Sequence, residues 1–432
     1  MREPGRAAAA IEILADIEAR KRPASEALKD WGTAHRFAGS GDRAAIGNLV
    51  FDALRKKLSH AARMDSDTPR AIVLSALRHD WALSVEEIAT ICEPDVHGPE
   101  PLSDAERAAL ARDTFDAPDH VRADVPEWLW PSFQRAFGAD AVAEGQALAQ
   151  RAPVDLRVNT LKVGRAKAMI ALAAYGAVET PHAATGLRIA APVGPARTPH
   201  VEADAAFLKG WIEVQDEASQ IAVALAGAKP GMQVADVCAG AGGKSLALAA
   251  AMENKGQIHA YDKDKHRLAP IYDRVKRAGA RNVQIHAPGA GLDDLAGKMD
   301  LVFVDAPCTG TGVWRRRPDA KWRLRPNALE QRQRDQAEAL ALGAALVKPG
   351  GRLVYATCSV LPEENEDQVS AFLATDAWSQ ASLTIEWLGN QTGAVTNRLV
   401  GHNSRVLLSP RRTGTDGFFL SAIQRPSGSL GY

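Results

Sequence analysis

Cysteine is scarce in this sequence. The four residues, Cys92, Cys238, Cys308 and Cys358, form no C-x-x-C pair and no His/Cys cluster at zinc spacing. That argues against a disulfide scaffold or a structural metal, and fits a reducing, cytoplasmic setting. Net charge is missing too, because 52 Lys and Arg balance 52 Asp and Glu. Any polyanion site must therefore be a local patch. No apolar run approaches the ~18 residues of a membrane span, so no membrane partner is expected. The opening "MREPGRAAAAIEILADIEARKR" carries acids early and reads as an amphipathic helix, not a targeting peptide. Internal repeats and low-complexity tracts are also lacking.

What is present divides the chain. Residues 1–95 are helical in pattern: "AAAAIEILADIEA" and "DRAAIGNLVFDALRKKL" place apolar residues at three- and four-residue steps. Residues 96–125 are rich in Pro and Asp and predict an acidic linker with one short helix. A small α/β module is expected over 126–220, with "VDLRVNTLK" as a strand and "GRAKAMIALAAYG" as a helix stopped at Gly176. From 221 to 432 the pattern is regular. The apolar strands "MQVADVCA", "GQIHAYD", "NVQIHA", "MDLVFVDA" and "GRLVYATC" alternate with helical segments. That predicts an α/β fold, a doubly wound, mostly parallel sheet preceded by the small module and an all-α domain. "RVLLSP" and "GFFLSAIQ" are expected to close the sheet as an antiparallel pair.

"DVCAGAGGKS", Asp236 to Ser245, lies where the first of those strands turns into a helix. Gly240, Gly242 and Gly243 let the backbone turn sharply beside a ligand. A dinucleotide fingerprint would need a third glycine at its own spacing, and a P-loop would need glycine where Cys238 stands. The remaining ligand reading is the S-adenosylmethionine loop of class I methyltransferases, with an acid ending each of the first two strands. Asp262, twenty residues beyond Gly242, is the second acid and is placed to take both ribose hydroxyls. Ordinary polar residues at strand ends are the plainer alternative.

Cys308 follows the fourth strand and Cys358 ends the fifth. In a doubly wound sheet those strands are neighbours ~4.8 Å apart, so both thiols reach the carboxyl edge where ligands bind. Carbon 5 of a pyrimidine becomes nucleophilic only after a thiolate adds to carbon 6. Such chemistry needs an activated Cys, a proton acceptor, and a carboxyl group, here Asp305, on ring nitrogen 3 or the exocyclic amine. The alternative is a pair of small buried residues. Beyond Cys308, Arg315, Arg316, Arg317, Lys321, Arg323 and Arg325 are interleaved with Trp314 and Trp322, a composition suited to phosphates and unpaired bases. A solvated helix end would look similar.

These motifs, "LRVNTLK", "GWIEVQDEASQ", "DVCAGAGGKS", "DAPCTGTGVWRRRPDAKW" and "YATCSVLPEENEDQV", occur in one order over residues 126–425. In that order they resemble the RsmB/NOP (Sun) family of RNA cytosine-5 methyltransferases. Residues 1–95 are similar to the NusB-type RNA-binding domain of bacterial members. The resemblance implies a Rossmann-like class I methyltransferase domain over 221–432, with Cys358 as nucleophile and Cys308 serving product release. It implies S-adenosylmethionine held by Cys238, Ala239, Gly240, Ala241, Gly242, Gly243 and Lys244, with Asp262 and Asp305. It further implies RNA contacts from Arg157, Asn159, Arg315, Arg316, Arg317, Lys321 and Arg323, and a monomer acting on RNA, ribosomal in the first instance. Transfer RNA, or a catalytically impaired ribosome-assembly factor of the same fold, are the alternatives. Two departures stand out. Ala241 replaces the usual proline, and Pro288 and Gly289 occupy the place of an adenine-contacting acid, so Asp293 or Asp294 substitutes or the backbone alone holds adenine.

Overall fold

The computed structural model describes residues 1–93, 97–289, 291–375, 378–383 and 404–427. The chain forms two compact units. Unit 1 comprises Met1–Ala152, Ala191–Pro199 and Trp314–Leu324, and unit 2 the remainder, Pro153–Ala190, His200–Val313 and Arg325–Tyr432.

Unit 1 is helical. Its first helix, Glu3–Arg20, has Pro4 in the first turn and buries Ala10, Ile13, Leu14 and Ile17, one stripe at three- and four-residue steps. These residues pack with Ile46, Leu49 and Leu54 of Ser40–Arg55 and with Ile72, Val73 and Leu74 of Pro69–His79. The boundary expected at residues 95 and 96 lies outside the described residues. Downstream, the expected acidic linker is not one. Helices Asp104–Leu110 and Asp119–Arg122 belong to unit 1, and Leu102, Ala109, Leu110, Ala123 and Val125 are buried. Asp124 explains part of the acid content. Its buried carboxylate accepts from Leu58 N (2.9 Å), Ser59 N (3.1 Å) and Ser59 Oγ (2.6 Å), at the otherwise unpaired amides opening Lys57–Met64. The helices Trp130–Phe137 and Ala141–Leu148, expected in the small α/β module, also fall in unit 1.

Unit 2 contains two sheets. A four-stranded antiparallel sheet has the order β2-β3-β1-β4, with β1 Val154–Val158, β2 Val178–Glu179, β3 Gly186–Ile189 and β4 Ile212–Val214. The larger sheet has β5 Gln233–Val237, β6 Gln257–Tyr261, β7 Val283–His286, β8 Met299–Asp305 and β9 Val347–Thr357. It also has β10 Ser379–Gln380, β11 Arg405–Leu408 and β12 Phe418–Gln424. Its order is β10-β12-β9-β8-β5-β6-β7, with β11 paired to β12. β5 to β9 are parallel, and β10, β11 and β12 form the antiparallel flank. β8 is covered on both faces, and Leu301, Val302, Phe303 and Val304 are all buried, hence its unbroken apolar run. Strand order reverses between β5 and β8, and that switch point positions the site.

Candidate active site

The glycine turn leaves β5 at the switch point. Gly240 and Gly242 have φ of +51° and +81°, and a Cβ on Gly242 would stand 2.4 Å from Ile271 Cγ1. Only glycine fits there. Cys238 also sits in the left-handed region, at φ 69°. The helix Gly243–Ala251 begins without a side-chain cap, so its first amides face the turn. Asp262, at the end of β6, is buried and ties the turn down: Oδ2 accepts from Gly240 N (2.9 Å) and Oδ1 from Asp264 N (2.9 Å). Each oxygen keeps a further lone pair for a ribose hydroxyl. Asp236, at the end of β5, is fully buried. Its Oδ2 accepts from Ser245 Oγ (2.5 Å), its Oδ1 has no partner among the described residues, and burial pushes the carboxyl up to about 7. The donor set and glycine cradle fit S-adenosylmethionine. Asp293 and Asp294 are both exposed, on a single turn after β7, while Ala290 lies outside the described residues.

The two cysteines converge from β8 and β9. Asp305 pairs with Ala356 in the ladder, and Ala306 N donates to Ala356 O (2.9 Å), which aligns the two strand ends. Cys308 Sγ and Cys358 Sγ are 3.3 Å apart, as free thiols. The hydrogen bond to Cys358, with burial, pushes the Cys308 thiol well above its usual range, so Cys308 is the partner that keeps its proton. Cys238 is inert by comparison, since burial and then the carboxylates of Asp262, Asp305 and Asp236 push its thiol up to about 12. Lys244 Nζ donates to Asp305 Oδ2 (2.5 Å). Burial alone would lower the ammonium, but the adjacent Asp305 carboxylate outweighs it and holds Lys244 above its ordinary value.

The expected RNA-contacting residues are placed differently. Arg157 is buried with Nε on Gln215 Oε1 (2.6 Å), and burial lowers it to about 10. Asn159 Nδ2 donates to the carbonyls of Gly210 (2.9 Å) and Ala278 (2.8 Å). Both hold unit 2 together. Of the basic segment, Trp314–Leu324 belongs to unit 1, where Arg315 and Lys321 are buried and Arg316, Arg317 and Arg323 are exposed. Lys321 Nζ donates to Arg55 O (2.9 Å) and Trp322 Nε1 to Leu54 O (2.6 Å), both carbonyls at the open end of Ser40–Arg55. Asp319 Oδ2 accepts from Ala24 N (3.2 Å), at the start of Ala24–Ala34. Cation meets helix C-terminus and anion meets helix N-terminus, as the backbone dipoles favour. Trp314 stacks on Phe133 at 5.6 Å. Sequence reasoning missed the Lys244–Asp305 pair and the residues Thr309, Gln336, Glu364 and Asn365. The last two were visible only as an acid and an amide just downstream of Cys358.

Among the described residues, no group of three or more His, Cys, Asp or Glu could hold a metal, and no helix is long and apolar enough to cross a membrane. The parallel sheet, switch-point glycine turn and paired strand-end acids define the class I, S-adenosylmethionine-dependent methyltransferase fold. Comparison with known proteins narrows this. Residues 222–424 match the family described as 16S rRNA methyltransferase RsmB/F, and residues 125–195 the RsmF/B-like ferredoxin-like domain. Over these regions the chain belongs to the RsmB/F methyltransferase family. A Citrobacter koseri protein named ribosomal RNA small subunit methyltransferase B is 36% identical over 252 residues, covering 57% of each chain. A Synechocystis protein named probable ribosomal RNA small subunit methyltransferase B is 31% identical over 311 residues, covering 69% of this chain and 66% of the relative. The match thus spans little more than half the length of the Citrobacter relative. Among solved structures, PH0851 superposes with a TM-score of 0.71 at 24% identity, over 98% of this chain and 99% of that one. A methyltransferase homolog protein from Pyrococcus horikoshii gives 0.57 at 28% identity, over 71% and 97%.

Proposed function

We propose that the protein methylates carbon 5 of a cytosine in RNA, with 16S ribosomal RNA as substrate, through a covalent bond between Cys358 and the pyrimidine. The observation that carries this reading is the pair of thiols 3.3 Å apart at the carboxyl edge of β8 and β9. A fold that only binds RNA has no use for two free thiols in contact there. The names of the relatives favour ribosomal RNA, and with that substrate the enzyme works in the cytoplasm.

S-adenosylmethionine supplies an electrophilic methyl group, and the turn from Cys238 to Lys244, with Asp262, would hold it. Asp305 binds the polar edge of the cytosine and fixes its orientation, while Lys244 Nζ holds that carboxylate in place. The Cys358 thiolate adds to carbon 6, which places nucleophilic density on carbon 5. Once carbon 5 carries the methyl group, a base takes its remaining proton. The ring double bond re-forms and the Cys358 thiolate leaves. Cys308, protonated beside Cys358, is placed to assist that departure. RNA is bound in part by unit 1, whose exposed Arg316, Arg317 and Arg323 suit phosphates.

A denaturing gel of single mutants, incubated with RNA and cofactor, tests the assignment. Cys358→Ala should give neither methylation nor adduct. Cys308→Ala should accumulate protein covalently joined to methylated RNA. A retarded band from Cys358→Ala alone would exchange the roles. Full methylation by both mutants would remove the covalent mechanism.

A further inference from the structure

A buried polar cluster grips the residues on either side of the two cysteines. Glu364 and Asn365 are consecutive and fully buried, Glu364 closing the tight turn Pro362–Glu364 and Asn365 following it. Glu364 braces the Cys308 side. Its Oε1 accepts from Thr309 N (2.8 Å) and its Oε2 from Thr309 Oγ1 (2.5 Å). Gln336, also fully buried, donates from one Nε2 to Glu364 Oε1 (3.0 Å) and to Pro307 O (3.0 Å). Thus both residues flanking Cys308 are tied to one carboxyl group. Asn365 does the same for Cys358: Oδ1 accepts from Thr357 Oγ1 (2.6 Å), and Nδ2 donates to Ser359 O (3.0 Å). Tyr355 Oη donates to Glu364 O (2.6 Å) and locks the turn itself to β9.

Burying a carboxyl group without a cationic partner costs stability unless several donors satisfy it. Here the donors come from the chain next to one cysteine, and the neighbouring amide grips the chain next to the other. We propose that Glu364 and Asn365 are positioning residues that act as one brace, setting the separation of the Cys308 and Cys358 sulfurs. Their consecutive peptide units couple the two strand ends more tightly than the ladder alone, because the cysteines lie beyond the last paired residues of β8 and β9. The brace deepens the proposed function and rests on it only where catalysis is concerned. A wider gap breaks the Cys308–Cys358 hydrogen bond, so departure of Cys358 suffers before its attack does.

The spacing can be read without RNA. Phenylarsine oxide condenses with two thiols, forming two As–S bonds and releasing its oxygen as water, and it needs them adjacent. The full chain should chelate it, and Cys308→Ala or Cys358→Ala should not. Glu364→Gln keeps the shape but replaces one acceptor oxygen with an amide N–H, and Thr309→Val removes one of the brace's hydrogen bonds. Each should weaken chelation about tenfold, the scale of one hydrogen bond to a charged group. Binding of S-adenosylhomocysteine should stay unchanged in both, which reports an intact fold. In the gel assay Glu364→Gln should accumulate adduct, as Cys308→Ala does. Should Glu364→Gln fail to fold, Thr309→Val decides alone. Chelation within twofold of the parent in the folded variants overturns the brace. Weakened chelation with no adduct from Cys308→Ala upholds the brace and overturns the covalent mechanism instead.

Discussion

Lys321 of unit 1 and Lys244 of unit 2 are both largely withdrawn from water, and burial pulls on both in the same direction. They end on opposite sides of the ordinary lysine value. Lys321 donates to the Arg55 carbonyl and lies over the rings of Trp314 (5.5 Å) and Trp322 (4.8 Å), with no carboxylate within ion-pair distance among the described residues. Burial dominates, and it falls to about 8. Lys244 has Asp305 at 2.5 Å and rises. A lysine whose partner is a helix end holds a structure together, whereas one whose partner is a carboxylate at a sheet edge prepares a site. Sequence composition alone would have reversed the ranking, because Lys321 lies in the more conspicuously basic segment.

The sharpest break in this comparison should come from Lys244→Met. Loss of the cation beside Asp305 is expected to lower the methylation rate about 100-fold or more, with the urea unfolding midpoint little changed. A rate within threefold of the parent would place Lys244 among the structural lysines. Next in size is Asp262→Ala, for which cofactor affinity should fall on the order of 10- to 100-fold by calorimetry with S-adenosylhomocysteine. An unchanged dissociation constant would detach Asp262 from the cofactor site.

Lys321→Met should leave methylation intact and show its effect in stability against pH. The unfolded lysine titrates near 10.5 and the folded one near 8. Between those values the unfolded chain binds more protons, so stability rises with pH and is lost as pH falls through the folded value. The parent should gain about 1 kcal/mol between pH 7 and pH 9 relative to Lys321→Met. Urea midpoints at the two pH values measure this. Parallel slopes would mean that Lys321 is not desolvated.

Much of unit 2 was legible because its signals are local. Apolar runs, a glycine turn and a strand-end acid identify β5, β6 and β8, and the run ending at Cys358 identifies β9, without knowledge of any contact. The neighbourhood of Cys308 and Cys358 followed from strand order, since sequential parallel strands pair. The acidic stretch before residue 126 misled for the complementary reason. Leu102, Leu110 and Val125 are too sparse to show a helical period, yet all three are buried, Leu102 and Leu110 in one core with the helices of residues 3–79. Asp124 looked like linker charge because the amides it satisfies lie 65 and 66 residues away.

Sequence by itself determined the class of the fold and the places of the glycine turn and the strand-end acids, all written in spacings shorter than one βα unit. Tertiary structure alone decided which charges are available. Arg157, Asn159, Arg315 and Lys321 have the residue types of an RNA interface but lie buried within their units. It also decided that Glu364 and Asn365 reach back to the residues beside Cys308 and Cys358 respectively. Burial and hydrogen-bond partners depend on chain segments far apart in sequence, and a side chain's charge does not reveal which segment will cover it.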